Sequence, residues 1–508
     1  SGNTKWLSIA CKFADVADEP RTVSFFTSQY GNGFPLLNNY WKEASYNTIN
    51  VWGSTAVGWY TLPQPLSYYY ISDTQFRLAE MANDCTEAAD PAIDFSAFYG
   101  INLMFNAETG CCAWGGNIQG TLDGITKNWP VTWMPPWGYK DLGYLEHEMT
   151  HAYGILWHSF AGYNPYADPW DVVSCAVYCA HNGTMPAGNY GFAGQHTQAY
   201  HRAYLGWIPD ERIITLSEPG PQTITLERTT MPGSMGYLMA ILPIDGSSSH
   251  YYALEARHQV GNDAKLIGQS ITIHEIGGTP NPVQLMDPHT GYGDGYQVWP
   301  VGATWVAPQG GFTVHVDAAT ATGFVVTVTG GYETETIVLS PTADTYVDIN
   351  LPDTNFGSSP TLKVWGSFTD LCATHSIPCK ATFYRFDPTQ LPPLIAQARL
   401  HLTVVEGAMS GWLPSARTYL VNYSDTTTPW EEYGLTWSNL DRDWQTLPYL
   451  QRPTGQGANW LEWDFAGTLS VLGVDSVRSL VVDNAHDYAF SSREGHNPPQ
   501  LIIEYLVP

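Results

Sequence analysis

Positive charge is scarce in this 508-residue sequence: 21 Lys and Arg stand against 48 Asp and Glu, for a net charge of −27. A surface of that sign is repelled by phosphate backbones and anionic lipid heads, which argues against nucleic-acid and membrane-surface partners. No stretch has the length and apolarity of a membrane span. There is no G-x-S-x-G, so a serine nucleophile elbow finds no support. No acidic cluster follows the EF-hand loop, and neither a short-period repeat nor a low-complexity tract occurs.

Hydrophobic residues make up 44% of the chain and charged ones 14%, so the sequence can build cores and is not disordered. Its length suits two to four domains. The 20 Trp, 31 Tyr, 47 Gly and 35 Pro favour strands and loops over helices. Eight cysteines (Cys11, Cys85, Cys111, Cys112, Cys175, Cys179, Cys372 and Cys379) lack the paired C-x-x-C spacing of a zinc ribbon. Disulfides in an oxidising, extracellular compartment are therefore expected, with Cys372 and Cys379 bracketing a short loop as the leading pair. The Ser-Gly-Asn start reads as a processed N-terminus of a secreted protein.

Local patterns divide the chain. A strand is expected from Trp6 to Phe13, and helices over Asn38–Ser45 and Asp73–Asn83, the second capped by Asp73. The clearest helix runs from about Asp141 to Gly154, because Leu142, Leu145, Met149 and Tyr153 recur at spacings of three and four. Beyond Ile208-Pro209, short alternating segments take over, such as Gln222–Glu227, Tyr251–Ala256, Gln269–His274 and Gly323–Val328. A second all-β stretch begins near Ser340 and includes Ala398–Val405, Arg417–Asn422, Ser479–Val482 and Leu501–Tyr505. The expected boundaries are 1–210, 211–335 and 336–508: a multidomain chain with an α+β domain followed by two all-β sandwiches.

The chemistry concentrates in His147-Glu148-Met149-Thr150-His151. On a helix, residues four apart share a face, so both imidazoles can reach one Zn2+, with Glu148 beside them as general base. The histidines lie off the Leu145/Met149 stripe, so the stripe should face a core and the ligands a cleft. Zinc needs a third protein ligand. The extended pattern H-E-x-x-H-x-x-G-x-x-H would place it at 157, but Trp157 stands there and His158 follows. His158 is the expected ligand, with His181, His196, His201 and Asp168 as replacements.

Several stretches resemble gametolysin-type zinc metallopeptidases and their immune-inhibitor-A-like relatives: His147–Ser159, Tyr166–Ser174, His201–Trp207, Val57–Pro63, Ala113–Gly116 and Tyr251–Arg257. The resemblance covers roughly residues 5–330. It implies a metzincin-like endopeptidase domain followed by a β-sandwich, acting on extracellular proteins or glycoproteins. It also implies that Ala113, Trp114 and Gly115 line the substrate on an edge strand, and Tyr178 is a candidate oxyanion donor. Three departures stand out: the shifted His158, Thr150 where the family often has Gly, and Val173 in place of the Met of the Met-turn. They leave open an alternative, a catalytically weak peptidase fold serving a structural or adhesive role.

Calcium is the second candidate cation, at Asp15, Asp18 and Glu19 or at Asp287 and Asp294, though a solvated loop is the better reading of these acids. Asn182-Gly183-Thr184 and Asn422-Tyr423-Ser424 are formal glycosylation sequons. The C-terminal stretch, about 340–508, resembles DNRLRE or carbohydrate-binding-module-96 sandwiches. The matching segments are Asp344–Val347, Asn355–Lys363, Tyr384–Asp387, Trp430–Trp437 and Phe490–Glu494. This resemblance implies polysaccharide binding, while Trp430 and Trp437 are expected in its core.

Overall fold

The computed structural model describes residues 2–162, 164–178, 185–279, 281–286, 299–366, 380–406, 417–420, 430–440, 450–451, 455–457, 459–464, 469 and 480–508. Two compact units emerge. One comprises Ser1–Leu216, Thr223–Met286 and Val316–Val326; the other comprises Ser217–Gln222, Asp287–His315 and Thr327–Pro508.

The first unit is mixed α/β and is built on a five-stranded sheet. Its strands are β1 (Trp6–Lys12), β2 (Thr55–Thr61), β3 (Gly100–Phe105), β4 (Trp114–Leu122) and β5 (Ile125–Met134), in the order β2-β1-β3-β5-β4. The first four in that order run parallel, and β4 returns antiparallel to β5 as an edge. The two-residue alternation of a strand explains why β1 is buried on both sides. Trp6 and Ala10 enter one core, with Phe26, Trp41, Leu142, Leu145 and Met149. Leu7, Ile9 and Cys11 enter the opposite core, with Met81, Cys85 and Leu103.

Five helices bear on this account: α1 (Val23–Gln29), α2 (Leu37–Ala44), α3 (Leu78–Ala89), α4 (Leu142–Tyr153) and α5 (Ala199–Tyr204). Helices α2 and α4 follow the sequence pattern to within a residue. The helix expected at Asp73 does not begin there. Residues Tyr70–Ser72 and Gln75–Phe76 pair as a short hairpin, and the Asp73 carboxylate accepts the Tyr70 hydroxyl at 2.9 Å. The helix α3 therefore starts only at Leu78.

A second sheet in this unit contains β6 (Ile213–Thr215), β7 (Met239–Pro243), β8 (Tyr251–Arg257), β9 (Ser270–Ile276) and β10 (Val283–Leu285), in sequential order. Gly220–Glu227, Thr304–Val306, Thr313–Ala319 and Gly323–Gly330 make a separate four-stranded sheet.

Among the described residues, the C-terminal region is dominated by one large antiparallel sheet. Strands β11 (Glu333–Leu339), β12 (Ala343–Asp348), β13 (Thr361–Gly366), β14 (Lys380–Arg385), β15 (Ile395–Glu406), β16 (Trp460–Asp464), β17 (Leu480–Ser491) and β18 (Gln500–Val507) belong to one large antiparallel sheet. Its main path is β11-β18-β15-β17-β13-β14-β12. Strand β15 alternates buried and half-buried residues, and Ala398, Leu400 and Leu402 enter the core. Trp430 and Trp437 are each 8% exposed and pack with Phe383 and Val481, as core residues.

Two disulfides join described cysteines, Cys11–Cys85 and the adjacent pair Cys111–Cys112, and Cys175 is disulfide-bonded as well. Cys372 and Cys379 lie outside the described residues. The Cys11–Cys85 bond ties β1 to α3 inside a core and spans 74 residues of sequence. Replacing both cysteines by Ala is expected to cost about 4 kcal/mol of unfolding free energy by releasing that loop. Chemical denaturation of the variant beside the parent, followed by tryptophan fluorescence, measures the loss.

Candidate metal centre

Asp141 precedes α4 in extended conformation, but its carboxylate caps no amide of its own helix. It accepts the Phe192 amide at 3.0 Å instead, fixing where the helix begins. The helix ends at Gly154, whose φ of +128° is open to glycine and strained for other residues. Leu142, Leu145 and Met149 are fully buried, as the stripe requires. The opposite side is not an open cleft face: His147, Glu148 and His151 are 6%, 7% and 8% exposed. Thr150, at the position the resembled family gives to Gly, is also buried and donates its hydroxyl back to the Glu146 carbonyl at 2.7 Å.

The two helix histidines converge. His147 Nε2 and His151 Nε2 lie 3.2 Å apart, and His158 Nε2 is 3.3 Å from His151 Nε2. The extra residue after Gly154 is absorbed in the loop. Leu156 turns out to solvent at 69% exposure, and Trp157 packs edge-on against Tyr204. His158 then comes back over the helix. The Asp168, His196 and His201 side chains are engaged elsewhere, with His274, Glu43 and Asp171 respectively. His181 lies outside the described residues.

His147 Nδ1 donates to the Val172 carbonyl at 2.7 Å, and His151 Nδ1 donates to the Ile155 carbonyl at 2.6 Å. A carbonyl only accepts, so these bonds place the protons on Nδ1 and leave the Nε2 lone pairs facing inward. Burial, with the charges of neighbouring histidines, holds His147 well below the usual imidazole range and lowers His158 to about 4. Burial also lowers His151. The inward lone pairs of His147 and His151 repel one another unless a proton or a cation sits between them. Nitrogens at ~2.0–2.1 Å from a tetrahedral zinc ion would be about 3.3–3.4 Å apart. The two Nε2 separations, 3.2 and 3.3 Å, fit that ion.

Glu148 lies between the two helix histidines in sequence, and burial pushes its carboxyl up to about 8. The edge strand β4 presses on this point of the helix. A Cβ placed on Gly115 would fall 2.0 Å from the Glu148 carbonyl oxygen. Ala113, Trp114 and Gly115 are half-buried at the start of that edge. Tyr178 is 62% exposed, with its ring edge-on to Phe192.

The support beneath the histidines is a buried polar network. The Asp171 carboxylate accepts from Thr197 Oγ1 at 2.7 Å, the Val173 amide at 3.1 Å and the Ser159 hydroxyl, and pairs with His201 Nδ1 at 3.0 Å. Burial raises this carboxyl, but the charge of His201 and these hydrogen bonds outweigh it and hold Asp171 well below the carboxylate range. Val173 is fully buried with Ile155 and Val172. Asp168 pairs with His274 of β9 at 2.8 Å. Arg257 of β8 donates to the Trp170 carbonyl at 2.6 Å and pairs with Asp263 at 2.9 Å.

Tyr166 was not singled out by the sequence reading. Its ring centroid is 4.7 Å from that of His158, and burial together with the charge of Glu148 raises its hydroxyl. It lies inside the Tyr166–Ser174 stretch, but no spacing rule distinguishes it from a packed tyrosine. Arg257 and Asp263 were likewise invisible as supports, since their partners are distant in sequence.

In the C-terminal unit, the segments that suggested a glycan-binding sandwich hold one another. Tyr346 stacks on Phe356 at 4.2 Å, Asn355 donates to the Glu432 and Leu435 carbonyls, and Arg385 donates to the Trp430 carbonyl. These contacts tie the segments to one another beside the antiparallel sheet. Residues 335–505 match the family model of carbohydrate-binding module family 96. A comparison with curated proteins found no match.

Among the described residues, groups of three or more side chains placed to share a metal ion occur at His147, His151 and His158, and at Asp344, Glu432 and Glu494. Asp15, Asp18 and Glu19 form no such group; Asp15 accepts the Leu66 amide and Glu19 pairs with Lys12. Asp287 and Asp294 lie outside the described residues, as do both sequons. His158→Ala is expected to lower zinc affinity by more than about 100-fold, beyond the usual loss for an outer-sphere partner. His196→Gln should stay within about tenfold, the low end of that outer-sphere range. Competition with a chromophoric chelator measures both, and unchanged affinity in His158→Ala would remove it from the ligand set.

Proposed function

We propose that the chain is a secreted zinc endopeptidase of metzincin-like design, held near glycoprotein or polysaccharide by its C-terminal module. The observation that carries this reading is the convergence of three neutral imidazoles beside Glu148 and an antiparallel edge strand. His147, His151 and His158 would hold the ion. When bound, zinc polarises a carbonyl oxygen and lowers the pKa of water into the neutral range.

The remaining work falls to the protein. An extended peptide pairs with the free edge of β4 near Ala113–Gly115 through main-chain hydrogen bonds, which orient the scissile bond over the histidines. Glu148 takes a proton from the attacking water and returns it to the leaving nitrogen. Burial, which raises this carboxyl, suits a group that must hold a proton between the two transfers. Tyr166, beside His158, donates its hydroxyl to the oxygen that gains negative charge. The buried disulfide and the strongly acidic surface favour an extracellular setting.

The test is hydrolysis of casein and glycoprotein substrates by the purified chain beside Glu148→Gln. A fall of about 10²–10⁴ in turnover is expected for loss of a general base. Equal residual activity in both proteins would sink the mechanism. Absence of activity in either would favour the rival reading, a peptidase fold serving as a structural or adhesive component. For Tyr166→Phe, kcat should fall by about 10²–10³ with KM little changed, as for loss of one oxyanion donor. Steady-state kinetics on a fluorogenic peptide separates the two constants.

A further inference from the structure

We infer that the carbohydrate-binding module holds a calcium ion between Asp344, Glu432 and Glu494, apart from the histidine centre and with different donor chemistry. One carboxylate oxygen from each residue lies within 4.8 Å of the others. The three come from separate stretches: Asp344 from β12, Glu432 from the segment that follows Trp430, and Glu494 from the turn after β17. Such an ion would pin together parts of the module that are remote in sequence.

The cluster does not balance its own charge. Asp344 is fully buried; its Oδ2 accepts the Arg493 amide at 2.8 Å, while its Oδ1 is shut off from solvent with no hydrogen-bond partner. A buried carboxylate oxygen in that state is costly unless a donor or a cation faces it. The Arg493 guanidinium is already committed. Arg493 Nη1 donates to both Glu432 oxygens at 3.2 and 3.1 Å and to the Thr342 carbonyl at 2.6 Å. Arg493 thus brings one positive charge to a group of three carboxylates. Burial, with the charges of Glu494 and Glu432, pushes Asp344 up to about 7, the same crowding seen electrostatically.

An all-oxygen, all-carboxylate donor set selects a hard cation, and calcium tolerates the irregular coordination that three scattered segments provide. Glu494 is exposed, so water can complete the shell from that side.

The experiment uses the full chain stripped of metal with EDTA, then titrated with Ca2+ by calorimetry and followed by thermal unfolding. One saturable site and a rise in melting temperature are expected. Glu494→Gln, at an exposed position, should weaken Ca2+ binding at least tenfold with an unchanged circular-dichroism spectrum, and Asp344→Asn should abolish it. If Asp344→Asn does not fold, Glu494→Gln decides alone. His151→Ala should bind Ca2+ as the parent does. The proposal is overturned if Ca2+ gives neither heat nor a melting shift, if Glu494→Gln binds it like the parent, or if His151→Ala abolishes binding.

Discussion

Asp171 is wholly buried, and three stretches of chain meet at its carboxylate. Ser159 follows the third histidine, Val173 lies in the loop that carries the Val172 carbonyl acceptor, and Thr197 and His201 bring in the segment around α5. The same acid therefore governs both the approach of His158 and the carbonyl that orients His147. An ionised carboxylate in such a place is stable only while its donors stay in position. Geometry at the histidines is thus set through hydrogen bonds of an acid that bonds to none of the three, in the way outer-sphere partners fix imidazole orientation.

A second tier sits under the first. Arg257 and His274 belong to the neighbouring sheet, yet they reach the Trp170 carbonyl and the Asp168 carboxylate in the loop leading to Asp171. Breaking a buried pair costs more than forming it gains, because the remaining charge is stranded. The arrangement couples β8 and β9 to the loop under the three histidines. It accounts for that sheet sharing a compact unit with α4.

Much of this was legible in sequence. The stripe Leu142, Leu145, Met149 located α4, and Gly154 its end, because local periodicity and a positive φ are short-range properties. His147, Glu148 and His151 followed from helix geometry alone. His158 was legible only through its displaced spacing, and its approach to His147 and His151 depends on a loop that carries Leu156 outward, on packing that no spacing rule contains. Asp73 misled because a capping side chain is equally at home in a hairpin turn. Tyr166, Arg257 and Asp263 were hidden for a different reason, since each acts through partners brought close only by the fold. In the C-terminal module the family segments were visible. The inward placement of Trp430 and Trp437 was visible too, whereas the mutual clasp of the segments required the three-dimensional arrangement.

Neighbouring glycines on the edge strand have opposite freedom. At Gly115 a Cβ would collide with the helix backbone at 2.0 Å, whereas at Gly116 nothing lies within 4 Å. The strand is therefore welded to the helix at one residue and bare at the next. Natural or laboratory variation in this strip is channelled to position 116, where a new side chain can project without disturbing the helix. Diversification of what the edge accepts thus has a ready foothold one residue away from an immovable one.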